Sequence, residues 1–226
     1  MITVRYLGIS SFLITTSKKT TILLDPYSDF VPYNFPTVSA DIVVISHEHR
    51  AHNAVWRIGG NPKIVKRTSD FEMEQEVPIQ KTGETFVFHG IPSAHDKFSG
   101  RQRGPNTIFC FEIEGINFCH LGDLGHLLSE EQRRKIGKVN VLFIPVGGRT
   151  TISPTEAVLT INQLNPGIVF PMHYLTPGIM GLNLADEELK SFAEKMENVR
   201  DESTTAINLE LAKLPEKTEV VLLKFE

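Results

Sequence analysis

The stretch Asp41-Ile42-Val43-Val44-Ile45-Ser46-His47-Glu48-His49-Arg50-Ala51-His52 constrains this chain most. A run of β-branched apolar residues reads as a strand buried on both faces. Three histidines then follow within six residues. If the backbone stays extended through His47 and His49, their side chains point the same way, because direction repeats every two residues. His52 comes round on the next turn. A lone histidine beside a strand is most often an ordinary hydrogen-bonded polar residue. Three imidazoles at the open end of one strand are costly to leave unbound, and zinc, manganese and iron are the cations that suit them.

Other segments repeat the pattern of a ligand-type residue just past an apolar strand. They supply His95 after Ile91-Pro92-Ser93-Ala94, Asp123 in Leu121-Gly122-Asp123, and His173 in Pro171-Met172-His173-Tyr174. Strand ends that converge are how a scaffold assembles a site. Five histidines and one aspartate are enough for two neighbouring cations sharing a carboxylate. His89 lies inside an alternating strand and reads as structural. Lys97, Arg101, Arg103 and Arg149 sit in loops beside these segments. A cluster of that kind suits an anionic substrate, with Arg101, Arg103 and Arg149 as its binding residues, although surface cations are as often only solvated.

The remaining chain reads as mixed α/β. Ile2 to Leu24 gives three strands ending at Asp25-Pro26, and Tyr27 to Ser39 is a loop. Asn53 to Ile58 suggests a short helix, Ile64 to Lys66 a strand, and Thr85 to His89 another. Ser129 with Gln132, and Ser153-Pro154 with Glu156, are helix starts. Val139 to Pro145 and Ile168 to Phe170 read as strands. Leu184 to Val199 reads as an amphipathic helix, and Thr205 to Phe225 as two strands or a strand and a tail. Cys110 and Cys119, the two cysteines, fall opposite each other in a hairpin turning at Glu114-Gly115. A cross-strand disulfide is geometrically open, while a cytoplasmic setting favours two reduced thiols.

A length of 226 residues predicts a single domain over 1–226. The net charge of −4 offers no general attraction to nucleic acid or anionic membrane. No apolar run approaches the length of a spanning helix, and no signal-peptide-like stretch opens the chain. The expectation is a cytoplasmic protein whose partner is a small molecule, with no nucleic acid and no membrane. The reading leaves room for a homo-oligomer.

Taken in order, these motifs resemble the metallo-β-lactamase superfamily of metal-dependent hydrolases, and most of all its ascorbate-6-phosphate lactonase-like branch. Ser46-His47-Glu48-His49-Arg50-Ala51-His52 stands for the motif Ser-His-x-His-x-Asp-His, followed by His95, Asp123 and His173. Asp25-Pro26, Pro145-Val146-Gly147-Gly148 and Pro154-Thr155-Glu156-Ala157 are similar to that branch as well. The resemblance implies an α/β (α+β) four-layer αβ/βα sandwich with metals at one edge between two sheets. It implies one metal on His47, His49 and His95, a second on His52 and His173, and Asp123 bridging. Zinc is the expected ion, one or two per chain, with manganese or iron as alternatives. A bound cation lowers the pKa of water from about 15.7 toward roughly 7, giving a metal-bound hydroxide that attacks an ester, lactone or phosphodiester. As catalytic residues, Asp123 would bridge the metals or, with the second metal absent, accept a hydrogen bond from the hydroxide, and His173 would coordinate or, left free, protonate a leaving group. Asp25 would hold a ligand imidazole, or be a strand-end turn residue.

The chain departs from the motif at Ala51, where the family has the aspartate that binds the second metal and orients water. Either the second site is weak and one ion sits on three imidazoles, or His126, Glu48 or Asp96 substitutes. Ile9 replaces a residue that is often histidine in that branch. The rival reading is a metal-binding protein of the same fold without hydrolytic activity, a sensor or structural partner, which Ala51 supports. A redox di-iron variant would need a carboxylate at 51 and a flavin domain.

Overall fold

A computed structural model describes residues 1–31, 34–67, 69–174 and 187–224. Strands β1 (Ile2–Gly8), β2 (Ser11–Thr15), β3 (Thr21–Leu24), β4 (Ile42–Ile45) and β5 (Lys63–Lys66) follow one another across a first sheet. Strands β6 (Met73–Ile79), β7 (Glu84–Ala94), β8 (Pro105–Ile113), β9 (Ile116–His120), β10 (Val141–Pro145) and β11 (Ile168–Met172) build a second. The C-terminal part serves both. Strands β12 (Val199–Asp201) and β14 (Glu219–Leu222) extend the second sheet, while β13 (Ala206–Leu209) lies beside β1 in the first. Both sheets are mixed, since β1 to β3 and β6 to β9 pair antiparallel and β3 to β5 and β9 to β11 pair parallel.

The two sheets pack face to face on a core of aromatic and branched side chains. Phe12, Phe143 and Phe170 meet at its centre, with ring centroids 4.4 to 5.9 Å apart. Each fully buried ring removes enough apolar surface to contribute about 1.5–3 kcal/mol. Helices α1 (Glu130–Ile136), α2 (Pro154–Leu164) and α3 (Glu187–Ala193) cover the outer face of the second sheet through Ile136, Ile161 and Phe192. The outer layer on the first sheet is thinner. Tyr27, Phe35, Val38 and Ile58 of the connecting loops pack there on Leu23 and Val43. This is the expected α/β sandwich of the metallo-β-lactamase fold, with loops and a 3-10 turn, among the described residues, where a helical layer was expected on the first sheet.

Local chemistry explains most elements. All four residues of β4 are buried, as the apolar run predicts for a parallel strand covered on both faces. The capping boxes Ser129/Gln132 and Ser153/Glu156 start α1 and α2, and Asn165 in the left-handed region ends α2. Cys110 pairs with Cys119 across a two-residue turn in which Glu114 and Gly115 both have positive φ. Their sulfurs lie 3.6 Å apart as free thiols.

Some expectations change. Asn53 to Ile58 forms only a 3-10 turn at Val55–Arg57. Strand β7 runs on past His89 to Ala94, because Gly90 lets Met73 and Phe109 approach its backbone and Pro92 is accommodated in the pairing. Strand β6 escapes the periodicity reading because Glu74, Glu76 and Pro78 break the apolar signal. It is a sheet edge, where charged residues and proline are tolerated. Leu184 lies outside the described residues, and α3 ends at Ala193 through tighter turns, so Val199 belongs to a strand. Phe225 also lies outside the described residues.

Candidate metal centre

The site lies where the two sheets part. The first sheet supplies Asp25 after β3 and His47, His49 and His52 after β4. The second supplies His95 after β7, Asp123 after β9 and His173 after β11. Strand β4 stops at Ile45, so the chain is not extended through His47 and His49. It turns instead, with His52 N–H donating to the His49 carbonyl at 2.8 Å. The turn still brings the His47 and His49 rings nearly parallel, 6.1 Å apart.

One oxygen organises the cluster. Asp123 Oδ2 lies 3.1 Å from Nε2 of His52, His95 and His173, and 3.8 Å from Nε2 of His47. Three overlapping triads result, each with candidate ligand atoms within 4.8 Å: His47/His95/Asp123, His52/Asp123/His173 and His47/His49/His52. The implied set His47/His49/His95 is not among them. His49 is exposed and sits edge-on to Phe30, on the His52 side as much as on the His47 side. The buried Nε2 atoms of His47 and His52 have no aligned hydrogen-bond partner. Orphaned ring nitrogens around a shared carboxylate form the donor set of a divalent metal, so these residues fit one.

The surroundings fix these rings. Asp25 Oδ2 accepts from His52 Nδ1 at 2.9 Å and from Ser46 Oγ at 2.6 Å, and Oδ1 accepts from Ser46 N–H at 2.8 Å. Ser46 Oγ also meets His47 Nδ1 at 3.0 Å. With Nδ1 as the donor in both rings, each Nε2 presents its lone pair to the site. Burial works against a charged His52, but Asp123 and Asp25 outweigh it and raise its pKa to about 10. Burial, followed by the His52 charge, pushes His47 down to about 3. Burial opposes the Asp123 carboxylate too, yet His173 and His52 hold its pKa well below the usual range.

Asn106 holds the Asp123 loop. Its Oδ1 accepts from Asp123 N–H at 3.0 Å, and its Nδ2 donates to the Leu121 carbonyl at 2.8 Å. Three non-glycine residues at the site have left-handed backbone: Ile9 (φ 55°), Asp25 (φ 42°) and His173 (φ 57°). Such conformations cost about 1–3 kcal/mol each and persist only where the surroundings impose them. Here His173 N–H donates to the Ile9 carbonyl at 2.7 Å, and His120 Nε2 meets the Ser10 carbonyl at 3.0 Å. Gly147 permits this closure, since a Cβ there would collide with the His173 carbonyl. Sequence reasoning missed Ser46 and Asn106 as supports. Ser46 stands in the motif and was within reach; Asn106 carries no local signal.

The carboxylates and the ring considered as substitutes for the missing motif aspartate all have other partners, although Glu48 lines the cavity. Glu48 bonds Lys66 and Asn53, both at 2.7 Å, on the solvent side. Asp96 accepts four backbone N–H groups, from Phe98, Gly100, Gln102 and Arg103, which close its own loop. Burial disfavours its charge, but these bonds outweigh it and hold its pKa at about 2. His126 uses both nitrogens on backbone, Nε2 on Ala94 N–H and Nδ1 on the Leu127 carbonyl. His89 pairs with Glu74 at the surface, as a structural residue would.

A cavity of about 670 Å³ opens over the cluster. Arg103 and Arg149 line it together with the apolar side chains of Phe30 and Val31, Tyr174 and Ala51. Arg101 does not line it, because its Nε donates to the Phe98 carbonyl of its own loop. Lys97 is taken up by an ion pair with Glu156 at 2.6 Å.

The chain matches the beta-lactamase superfamily domain over residues 3–173. A Thermococcus onnurineus protein described as a metal-dependent hydrolase is 28% identical over 199 residues, which cover 78% of this chain and 86% of that relative. The crystal structure of a candidate Zn-dependent hydrolase of the metallo-beta-lactamase superfamily from Thermotoga maritima is 30% identical, with a TM-score of 0.75 and all of both chains covered. A structure from Parabacteroides distasonis, at 16% identity and a TM-score of 0.67 over 100% of this chain and 94% of that one, shares the fold. A strand-end histidine cluster around one aspartate, set between two mixed sheets and matched over three quarters of its length, makes this chain a member of the metallo-β-lactamase superfamily.

Proposed function

We propose that the protein is a metal-dependent hydrolase acting on an ester, lactone or phosphodiester of a small anionic molecule. The observation that carries this reading is Asp123 Oδ2, set 3.1 Å from three imidazole nitrogens at the floor of an open cavity. A divalent cation held there, zinc first among candidates, supplies Lewis acidity and an acidified water. His47 and His95 with Asp123 would hold one ion, His52 and His173 with Asp123 another, and His49 lies beside both His47 and His52. Asp25 keeps His52 and, through Ser46, His47 in the tautomer that faces the site. Asp123 Oδ1 has Ser10 Oγ at 3.5 Å, leaving Oδ2 to the cluster. His173 would either hold the second position or, left free of metal, hand a proton to a departing group. Arg103 and Arg149 would draw an anionic substrate, and Phe30, Val31 and Tyr174 would pack on its apolar part. The lactonase-like branch is the narrower form of this reading.

The second reading, a metal-binding protein without hydrolytic activity, is favoured by one observation: Ala51 is unreplaced. The test is metal content by elemental analysis on protein purified without chelators, alongside hydrolysis of p-nitrophenyl acetate, a γ-lactone and bis-p-nitrophenyl phosphate. The expected result is zinc-dependent turnover of at least one ester, lost together with bound metal in Asp123→Ala. Bound metal with no turnover of any would favour the non-catalytic reading, and turnover unchanged in Asp123→Ala would remove Asp123 from the centre.

A further inference from the structure

The chain has two cysteines, and they stand side by side away from the histidine cluster. Cys110 on β8 pairs with Cys119 on β9, with Sγ atoms 3.6 Å apart. The two-residue turn at Glu114-Gly115 makes Ile113 and Ile116 a hydrogen-bonded pair, and alternation then makes Cys110 and Cys119 a non-hydrogen-bonded one. In such a pair the Cα atoms lie about 4.5 Å apart, inside the range of about 4.4–6.8 Å that a disulfide spans. Side-chain rotation therefore brings the sulfurs to the bonding distance of about 2.05 Å while the strands stay in register.

The pair is asymmetric. Cys119 is fully buried under the helical layer, next to Leu142 of β10. Cys110 is half-buried, and the row continues from it across β7 and β6 to His89 and Glu74, whose side chains are 51% and 69% exposed. A reagent in solution reaches Cys110 first. Burial also pushes the Cys119 thiol well up, so it is not the first to react. Packing alone does not account for the arrangement, since a cysteine that serves as a small apolar group is normally fully buried.

We propose that Cys110 and Cys119 form a reversible dithiol–disulfide site whose substrate is a small-molecule disulfide of the glutathione type. The Cys110 thiolate attacks one sulfur of that disulfide, so a mixed disulfide forms on Cys110 and one thiolate leaves. Cys119 then gives up its proton and attacks Cys110 Sγ, so the Cys110–Cys119 bond forms and the second thiolate leaves. The two protons lost by the cysteines end on the two released thiols. Two protein thiols are oxidised and one disulfide is reduced, with no other reactant. Excess thiol runs the steps backwards. The cross-link joins β8, which carries Asn106, to β9, which leads to Asp123.

The test is incubation of folded, full-length protein with oxidised glutathione, followed by unfolding, alkylation of the remaining thiols and mass spectrometry. Wild type should lose both alkylatable thiols, retain no glutathione, and regain both thiols in excess reduced glutathione. Cys119→Ser should keep one glutathione on Cys110, because nothing resolves it, and Cys110→Ser should take up none. A wild-type protein that keeps both thiols, or that holds glutathione on Cys110 without closing the bond, would overturn the proposal. So would a bond between two chains, seen as a dimer on a non-reducing gel, or an adduct on Cys119 in folded Cys110→Ser. Wild type alone decides whether the bond closes, so misfolding of a variant leaves the test standing. The outcome is independent of the metal-dependent reading above.

Discussion

His52 is fully buried between two carboxylates, Asp25 on Nδ1 and Asp123 on Nε2, at 2.9 and 3.1 Å. In the metal-free chain burial disfavours its charge, yet the two aspartates raise its pKa from 6.5 to about 10. A raised pKa adds stability that is fully present below the unfolded value and is lost as pH climbs through the folded one. A metal needs the neutral ring, so it competes with that proton. Between pH 6.5 and about 10 the metal-free protein should therefore lose stability while its apparent zinc affinity rises. Zinc titrations at neutral pH in buffers of different ionisation enthalpy should count about one proton released at His52. No release would mean that the ring is already neutral. The residue types of this arrangement were legible in the motif. The two-sided grip was not, because Asp25 lies 27 positions from His52 and meets it only through the pairing of β3 with β4.

Elements whose cause is local were readable from sequence. Ser129 and Gln132 satisfy each other's end of α1, with Ser129 Oγ accepting from Gln132 N–H at 3.1 Å. Ser129→Ala should cost about 1 kcal/mol, which lowers Tm by about 2–4 °C in a chain of this size. Zinc content should stay unchanged, because α1 packs on the outer face of the second sheet, away from the cluster. Differential scanning calorimetry and elemental analysis check the two halves of that expectation. A loss of zinc would tie α1 to the site. Elements whose cause is not local were misjudged. Strand β6 exists because β7 offers it a partner along seven residues, and α3 ends where Phe192 has been anchored on the helical layer.

At the scale of the whole molecule, the site bridges the two sheets. Asp25, His47, His49 and His52 belong to the first, and His95, Asp123 and His173 to the second. A metal bound by both stabilises their packed arrangement over the unfolded chain, in which no such site exists. Removing zinc with a chelator should lower Tm by about 5–10 °C, the shift expected for loss of a ligand present at about a hundred times its Kd. Calorimetry before and after chelation, then after zinc is restored, measures this. An unchanged Tm with zinc shown to be removed would mean that the centre does not tie the sheets together.

The sequence by itself determined which side chains could serve a metal, the order in which strands would present them, and the absence of an acid at position 51. Those are properties of residue type and local periodicity. Only the tertiary structure decided that Asp123 Oδ2 is the shared centre, that His49 groups with His47 and His52, and that Glu48, Asp96 and His126 have other hydrogen-bond partners. It also decided that Arg103 and Arg149 face the cavity while Arg101 does not. These outcomes depend on how two sheets close over one core. Such distances are set by packing between residues remote in the chain, and spacing along the chain does not encode them.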